Sequence, residues 1–205
     1  MASQTSTRYA TELIRFLVKY YGDMKMNVLV TERLILREWK LSDSEDMFAY
    51  AQSELVGPNA GWKPHKDIDE SKEIIKMFIK DQDVYAIELK AENKVIGSIG
   101  IHNRYPDEKL SKLNQREIGY VLNSEYWGKA FIPEAVQYLI KYCFEELKLD
   151  LIWCGHYDFN MKSKRVIEKC GFNYQFSKNT TLHLLDNKEV TTCYYNIYNY
   201  DYKNE

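Results

Sequence analysis

The chain has 205 residues and a mass of 24.4 kDa, which is enough for one well-buried core and short for two. Hydrophobic residues make up 45% and charged residues 28% of the sequence, a balance typical of a folded globular protein rather than a disordered or fibrous one. Basic residues number 28 against 30 acidic residues, so the chain has no overall positive field to attract nucleic acid or an anionic membrane.

The first part of the sequence stands apart from the core pattern. Residues 9–21 place apolar side chains at helical spacing, which predicts a short amphipathic helix. Met24 and Met26 come just before the first strand candidate. We therefore divide the chain into an extension, residues 1–25, and a single domain, residues 26–205. The extension fits a segment added ahead of an older start, an expression feature or a partner contact, and the sequence leaves these alternatives open.

A strand and two helices are predicted next. Residues 28–39 are rich in β-branched and aliphatic side chains and predict a strand. Residues 42–45 form a capping-box pattern that opens a helix through residue 53. Residues 56–66 hold two glycines and two prolines and predict a loop. Residues 69–80 place their apolar side chains on one helical face.

The middle of the chain predicts three strands and the most regular helix of the sequence. Residues 83–90 and 94–102 predict a hairpin, and residues 116–122 predict a further strand. Residues 133–147 are apolar at positions i, i+3 and i+4, and Pro133 suits the first turn of such a helix.

The last third alternates again between strand and helix. An apolar strand is predicted at residues 151–154, then a helix over residues 160–169 that Gly171 ends. Two tyrosine-rich strand candidates follow, at residues 174–185 and 189–200. The predicted order is β-αα-βββ-α-β-α-ββ. The tyrosines near the end fit a sheet edge or a contact in a homodimer.

Cysteine usage and hydropathy bear on where the protein works. The four cysteines have no C-x-x-C spacing, and each lies in an apolar helical or strand-like pattern. No apolar run approaches the roughly 18 residues that cross a membrane, and the opening segment lacks the apolar stretch of a signal peptide. We therefore expect reduced thiols, no membrane and a cytoplasmic protein.

The junction between residue 122 and the regular helix carries a candidate anion site. It reads WGKAFIPE over residues 127–134. A glycine and a small residue let backbone N–H groups turn outward, and a helix N-terminus adds partial positive charge, so a pyrophosphate could bind there. A glycine at such a turn also serves geometry alone, so the motif by itself leaves both interpretations open.

Several separated motifs occur in one order along the chain. They are Thr31-Glu32-Arg33-Leu34-x-Leu36-Arg37, Glu117-Ile118-Gly119-Tyr120, Gly128-x-Ala130, Pro133-Glu134-Ala135, Asn160-x-x-Ser163 and Glu168-Lys169-x-Gly171-Phe172. Together they closely resemble the GNAT acetyltransferases, specifically the RimJ/RimL-like branch, over residues 29–198. The agreement in order and in element makes this match more specific than a lone glycine motif.

The resemblance implies an α/β (α+β) GNAT fold, with a mixed central sheet of about six or seven strands flanked by helices. The fourth and fifth strands, near residues 116–122 and 151–157, would splay apart and leave backbone groups for the pantetheine arm of acetyl-CoA. The residues implied to contact acetyl-CoA are Tyr120, Val121 and Leu122 beside the thioester, Trp127, Gly128, Lys129, Ala130, Phe131 and Ile132 at the pyrophosphate, and Asn160 and Ser163 on the opposite wall.

The sequence departs from the family pattern at three positions. Ala130 replaces the usual second glycine, a common variant, and Glu125 stands where Gln or Arg is usual. The Glu125 carboxylate must therefore point away from the phosphates or weaken their binding. Ile167 occupies the position at which many relatives have a catalytic tyrosine, so Ser163 becomes the candidate general acid. The alternative for Ser163 is a hydroxyl that bonds the local backbone.

The expected chemistry requires an uncharged amine, and Glu117 is the candidate general base because the matching carboxylate in many relatives works through water. The alternative is a solvated strand residue. Trp62 and His65 fall where relatives place acceptor contacts, although Trp62 also fits a packed loop anchor. His156 has no spaced partner, so we expect neither a metal site nor a triad.

These patterns support two candidate functions. The first is an N-acetyltransferase that moves an acetyl group from acetyl-CoA to a primary amine by direct attack in a ternary complex. The acceptor would be a protein N-terminal α-amine or a small-molecule amine. The alternative is a catalytically weak acyl-CoA-binding module that acts through a protein partner, which Glu125, the missing tyrosine and the extension favour.

Overall fold

The structure, a computed structural model, describes residues 26–202. The helix predicted over residues 9–21 therefore lies outside the described residues.

An eight-stranded sheet forms the centre of this domain, in the order β1-β2-β3-β4-β5-β6-β8-β7. The strands are β1 (Leu29–Val30), β2 (Leu34–Arg37), β3 (Val84–Leu89), β4 (Lys94–His102), β5 (Gln115–Leu122), β6 (Leu151–Tyr157), β7 (Asn173–Leu182) and β8 (Lys188–Tyr198). Strands β5 and β6 pair in parallel, and the other neighbouring pairs are antiparallel. The predicted mixed sheet is confirmed.

Helices cover both faces of the sheet. They are α1 (Ser44–Ala51), α2 (Gly57–Ala60), α3 (Ile68–Asp81), α4 (Phe131–Glu145), α5 (Met161–Lys169) and α6 (Asn199–Tyr202). Neighbouring strand residues point to opposite faces. In β3, Ala86 therefore packs with Met47 of α1 and Ile75 of α3, whereas Ile87 belongs to the larger cluster that includes Leu139 of α4.

The first predicted strand is two short strands in the structure, which gives the sheet one strand more than the predicted order. Thr31 makes the break: its backbone N–H donates to the Leu34 carbonyl at 3.0 Å, and its hydroxyl accepts from the Leu34 N–H at 3.0 Å. A threonine hydroxyl that bonds nearby backbone offers an alternative to the strand ladder. Residues 31–33 therefore form a turn between β1 and β2.

Two local predictions on the α1–α3 side were wrong. The capping box at residues 42–45 does not start the helix, because a 3₁₀ turn, Leu41–Asp43, precedes α1. Asp43 instead accepts hydrogen bonds from the Lys40 N–H at 2.8 Å and from the Arg37 guanidinium at 2.8 Å and 3.0 Å. The predicted loop at residues 56–66 contains the one-turn helix α2, with a proline in its first turn.

The tyrosine-rich strand β8 lies inside the sheet, between β6 and β7, so the edge strand at this end is β7. Tyr195 in β8 is buried against His156, with ring centroids 5.5 Å apart. Tyr195 therefore packs within the sheet, whereas Tyr200 lies in α6 and is 61% exposed.

Strands β5 and β6 separate midway along their length. Their ladder runs from the Gln115–Leu151 pair to the Ile118–Cys154 pair, whereas β5 remains paired with β4 as far as Leu122. Residues 119–122 consequently have no partner on the β6 side. The splay predicted between the fourth and fifth strands is therefore present, and in the observed numbering it lies between β5 and β6.

Candidate active site

The turn between β5 and α4 has the backbone geometry of an anion cradle. Gly128 and Ala130 are both left-handed, with φ of 79° and 60°. Left-handed residues within such a turn direct nearby backbone N–H groups to one side, and the 15-residue helix α4 adds its N-terminal dipole at Phe131. A Cβ atom built on Gly128 would meet no atom within 4 Å, so the space beside this turn is open.

A cavity of about 380 Å³, here called the turn cavity, lies against this turn and the unpaired part of β5. It is lined by every residue that the resemblance implied for acetyl-CoA except Lys129. The Lys129 side chain lies over the Tyr126 ring instead, 4.9 Å from its centroid. Lys162 and Arg165 on α5 also line the cavity, and sequence reasoning did not identify them.

Glu125 is exposed and does not line the turn cavity. Its backbone N–H donates to the Asn123 side-chain oxygen at 3.1 Å, within a short 3₁₀ turn, Ser124–Tyr126. Of the two alternatives for this carboxylate, the structure supports the one in which it points away.

A carboxylate in the first turn of α4 ties the cradle to the β1–β2 turn. Glu134 accepts from the Thr31 hydroxyl at 2.5 Å, the Arg33 N–H at 2.8 Å and the Arg33 Nε at 2.6 Å. Arg33 also donates to the Lys129 carbonyl at 3.0 Å. Burial alone would raise the pKa of Glu134, but these hydrogen bonds outweigh it and lower that pKa. The Thr31-Glu32-Arg33 motif thus holds the cradle in place.

Tyr120 on β5 reaches across the splay to α5. Its hydroxyl lies 2.8 Å from the Ser163 hydroxyl and also donates to the Ser163 carbonyl at 3.2 Å. Burial raises the pKa of Tyr120 well above its ordinary value. The Ser163 hydroxyl is therefore bonded to a phenol rather than to local backbone, and a tyrosine hydroxyl is present although position 167 lacks one.

Asn160 joins the two sides of the site. Its side-chain oxygen accepts from the Ser163 N–H at 3.1 Å and so caps α5, while its amide donates to the Asn59 carbonyl at 3.0 Å. An Asn at the N-cap satisfies one of the unpaired N–H groups of the first helical turn. The capping residue of α5 therefore also holds the short helix α2.

A second cavity, here called the strand cavity, has a volume of about 780 Å³ and lies on the face of β4 and β5 that α1 and α3 cover. Glu117, Trp62 and His65 all line it. Both cavities are lined by Asn59, Ala60, Tyr120, Val121, Asn160 and Ser163. The structure therefore brings the predicted base and acceptor residues together beside the splay.

Glu117 is half-buried in the strand cavity. Burial raises the pKa of its carboxyl group, and the positive charges of Arg104 and His102 partly oppose that rise. This environment differs from the solvated strand position that was the alternative for Glu117.

Trp62 and His65 lie side by side in the loop after α2, with ring centroids 5.1 Å apart. A Cβ atom on Gly57 would come within 2.8 Å of the Trp62 ring, so Trp62 packs tightly onto this loop as well as lining the cavity. The His65 Nδ1 lies 2.8 Å from the Ser71 hydroxyl, and burial lowers the pKa of His65.

Sequence reasoning missed a pair of polar residues in contact with each other, His102 and Asp83. His102, at the end of β4, lines the strand cavity, and its Nδ1 lies 2.8 Å from Asp83 Oδ2. No motif contains either residue. The signal that could have identified His102 is the register of the predicted hairpin and the following strand, which places it opposite Glu117.

The described residues, 26–202, also include His156 and the four cysteines. His156 is buried, and its Nδ1 lies 2.8 Å from the Tyr157 carbonyl. Within this range no group of three His, Cys, Asp or Glu residues is placed to hold a metal ion. No helix of the described part is long and apolar enough to cross a membrane. Cys143, Cys154 and Cys170 are buried free thiols.

Comparison with known proteins gives consistent matches. Residues 33–173 match the family described as Acetyltransferase (GNAT) domain. An uncharacterized N-acetyltransferase of Bacillus licheniformis, p20, is 32% identical over 154 residues, which cover 72% of this chain and 83% of that protein. The crystal structure of a GNAT-family acetyltransferase from Bacillus anthracis has a TM-score of 0.74 at 24% identity, over 85% of this chain and 99% of that chain.

A further structural neighbour contains a bound ligand. The Microcin C7 self immunity acetyltransferase MccE, crystallised in complex with acetyl-CoA and AMP, has a TM-score of 0.66 at 17% identity, over 82% of this chain and 93% of that chain. At this identity, and at that of the Bacillus anthracis protein, the likeness concerns the fold alone.

Proposed function

The chain belongs to the acetyltransferase (GNAT) family, and from this premise we propose that it transfers the acetyl group of acetyl-CoA to a primary amine by direct attack in a ternary complex. The observation that carries this proposal is the meeting of two cavities at the β5–β6 splay. One cavity has an anion cradle and an unpaired backbone edge. The other has a half-buried carboxylate.

The residues present fit acetyl-CoA as the acetyl donor. The left-handed Gly128 and Ala130 and the start of α4 would hold its pyrophosphate, and Lys162 and Arg165 add positive charge beside them. The N–H and C=O groups of residues 119–121 that face away from β4 would pair with its pantetheine arm as a strand would. A structural neighbour that binds acetyl-CoA supports this assignment.

Glu117 would accept the proton that the amine must lose before it can attack. A lysine-like amine has a pKa of about 10.4 and an α-amine one of about 7.7–8.0, so both are largely charged near neutral pH. Burial raises the pKa of Glu117 and so makes its carboxylate a better proton acceptor than an exposed one. Glu117 lines the acceptor side of the splay, which suits this role.

The hydroxyl pair of Tyr120 and Ser163 would protonate the leaving thiolate. Ser163 was the candidate from sequence, and its bond with Tyr120 extends the donor to two hydroxyls at the point where the cavities meet. Burial raises the pKa of Tyr120, so the phenol keeps its proton and remains a donor near neutral pH. Carbonyl polarisation by the backbone of β5 would contribute further.

The proposed acceptor is a protein N-terminal α-amine or a small-molecule amine. Trp62 and His65 would contact it in the strand cavity. The RimJ/RimL-like assignment, a cytoplasmic location and a homodimer remain parts of the proposal. A purely binding role is less well supported, because a half-buried carboxylate, Glu117, and the Tyr120–Ser163 hydroxyl pair both line the strand cavity.

Release of free thiol from acetyl-CoA, measured with a panel of α-amines, lysine-like amines and polyamines, tests the function. We expect thiol release that depends on at least one class of amine, with the acetylated product identified by mass. Binding of acetyl-CoA without thiol release from any amine would favour the binding module.

A further inference from the structure

The strand cavity contains an imidazole–carboxylate pair that the mechanism above does not use. The Nδ1 atom of His102 lies 2.8 Å from Asp83 Oδ2, and the two side chains are 18% and 37% exposed. An ionised carboxylate can only accept a hydrogen bond, so Nδ1 carries the proton. The Nε2 atom of His102 is then left as a proton acceptor, as in other sites where a carboxylate orients an imidazole.

Two glycines make room for this ring on the face of the sheet. A Cβ atom on Gly100 would lie 2.5 Å from His102 Nε2, and one on Gly119 would lie 3.2 Å from the same atom. The Nε2 edge therefore rests directly over β4 and β5. A side chain at position 119 would therefore require the imidazole ring to shift by a few tenths of an ångström.

The Nε2 atom of His102 lies close to the splay between β5 and β6. Gly119 is the first residue of β5 beyond its last pair with β6, Ile118–Cys154, so Nε2 lies at the start of the unpaired backbone. His102 is also the partner of Glu117 in the β4–β5 register. Directly opposed residues have their side chains on one face with Cβ atoms about 4.5–5.5 Å apart. His102 and Glu117 therefore face the same part of the strand cavity.

We propose that His102, oriented by Asp83, is a second proton acceptor for the amine and acts beside Glu117. This inference rests on the proposed acetyl transfer. An ammonium nitrogen loses two protons as it becomes an amide. Glu117 takes the first and frees the amine. His102 Nε2 takes the second as the C–N bond forms and the C–S bond breaks. The Tyr120–Ser163 pair protonates the thiolate and regains its proton from solvent, so one proton is released per transfer.

The other charged and titratable groups near His102 leave Glu117 and His102 as the two proton acceptors. Asp83 is bound to its Nδ1, and Arg104 follows β4 on the same face as Glu117. Burial raises the pKa of Tyr157 and of Tyr194, so both phenols keep their protons near neutral pH and do not act as bases.

Substitution of the imidazole tests the proposal. With the amine that the wild-type protein acetylates best, we expect His102→Gln to lower kcat/KM about tenfold at pH 7, less than the about 10²–10⁴-fold that a general base typically contributes, because Glu117 is still present. Its Kd for acetyl-CoA should stay at the wild-type value. Imidazole added to the buffer should restore part of the rate, in proportion to its free-base concentration. His183→Gln is the matched control, since His183 is exposed and lines neither cavity.

A second variant keeps the imidazole and changes only its tautomer. In Asp83→Asn the amide can donate to Nδ1, which moves the ring proton to Nε2 and blocks it as an acceptor. We expect a loss as large as that in His102→Gln. Wild-type rates in both folded variants, or a loss in His102→Gln that imidazole leaves unchanged, would overturn the proposal. A wild-type protein that acetylates no amine would instead overturn the proposed function.

Discussion

The turn cavity is built largely from one continuous turn and the backbone of β5, whereas the strand cavity takes side chains from α1, α3, β4, β5, β6 and β8. Backbone geometry at Gly128 and Ala130 determines what the first can hold. Side chains that are distant in sequence, such as Glu117 and His65, determine what the second can do. Substitutions in the turn cavity should therefore change the affinity for acetyl-CoA. Substitutions in the strand cavity should change the rate at which the amine is acetylated.

The largest expected effect is on the strand cavity. Glu117→Gln should lower kcat/KM for a lysine-like amine about 100-fold or more at neutral pH, because general base catalysis contributes about 10²–10⁴. Burial raises the pKa of Glu117, so wild-type activity should increase with pH as this carboxyl loses its proton. The deficit of the variant should then shrink as rising pH supplies free amine. The measurement is kcat/KM from about pH 6.5 to 9.5 for both proteins.

The Kd for acetyl-CoA provides the control for this variant. If the two cavities are independent, Glu117→Gln should bind acetyl-CoA as the wild type does. A variant that is equally slow at every pH would indicate lost folding or lost donor binding rather than a lost base. A variant as fast as the wild type throughout would remove Glu117 from the chemistry.

The next largest effect is expected on the turn cavity. Gly128→Glu adds a carboxylate beside the proposed pyrophosphate and forces a side chain into the left-handed region, where φ is 79°. We expect the affinity for acetyl-CoA to fall at least tenfold, or about 1.4 kcal/mol. Calorimetry on the folded variant measures this, and unchanged affinity would remove the turn from donor binding. Glu125→Gln is a matched control, because Glu125 lies outside the cavity and should leave the affinity unchanged.

The difference between the cavities also explains what the sequence could predict. The turn at Gly128, the start of α4 and the cap at Asn160 depend on residues close together in sequence, and local patterns indicate them directly. The splay of β5 and β6 followed from the resemblance to a family. The break at Thr31 was missed because one hydroxyl overrides a strand-like pattern.

The polar network of the strand cavity could not be predicted in the same way. His102 meets Asp83 across 19 positions of sequence and faces Glu117 only because of the β4–β5 register. Tyr120 reaches Ser163 across 43 positions, through the opening between two strands. Lys129 belongs to a predicted motif, yet its side chain lies on Tyr126 and outside the cavity. Contacts of this kind depend on register and rotamer, which short motifs do not encode.

The smallest effect is expected from a change that leaves both cavities complete. A chain that starts at Met26 keeps every residue that lines either cavity, and Met26, which is 7% exposed, belongs to the core. We expect removal of residues 1–25 to change the free energy of unfolding by less than about 0.5 kcal/mol, as for surface changes, and to leave the Kd for acetyl-CoA unaltered. Met26→Ala in the full chain should instead lower the free energy of unfolding by about 2 kcal/mol or more, because it leaves a cavity at a buried position. Denaturant unfolding measures both. A shortened chain that unfolds without cooperativity would move the domain boundary ahead of residue 26.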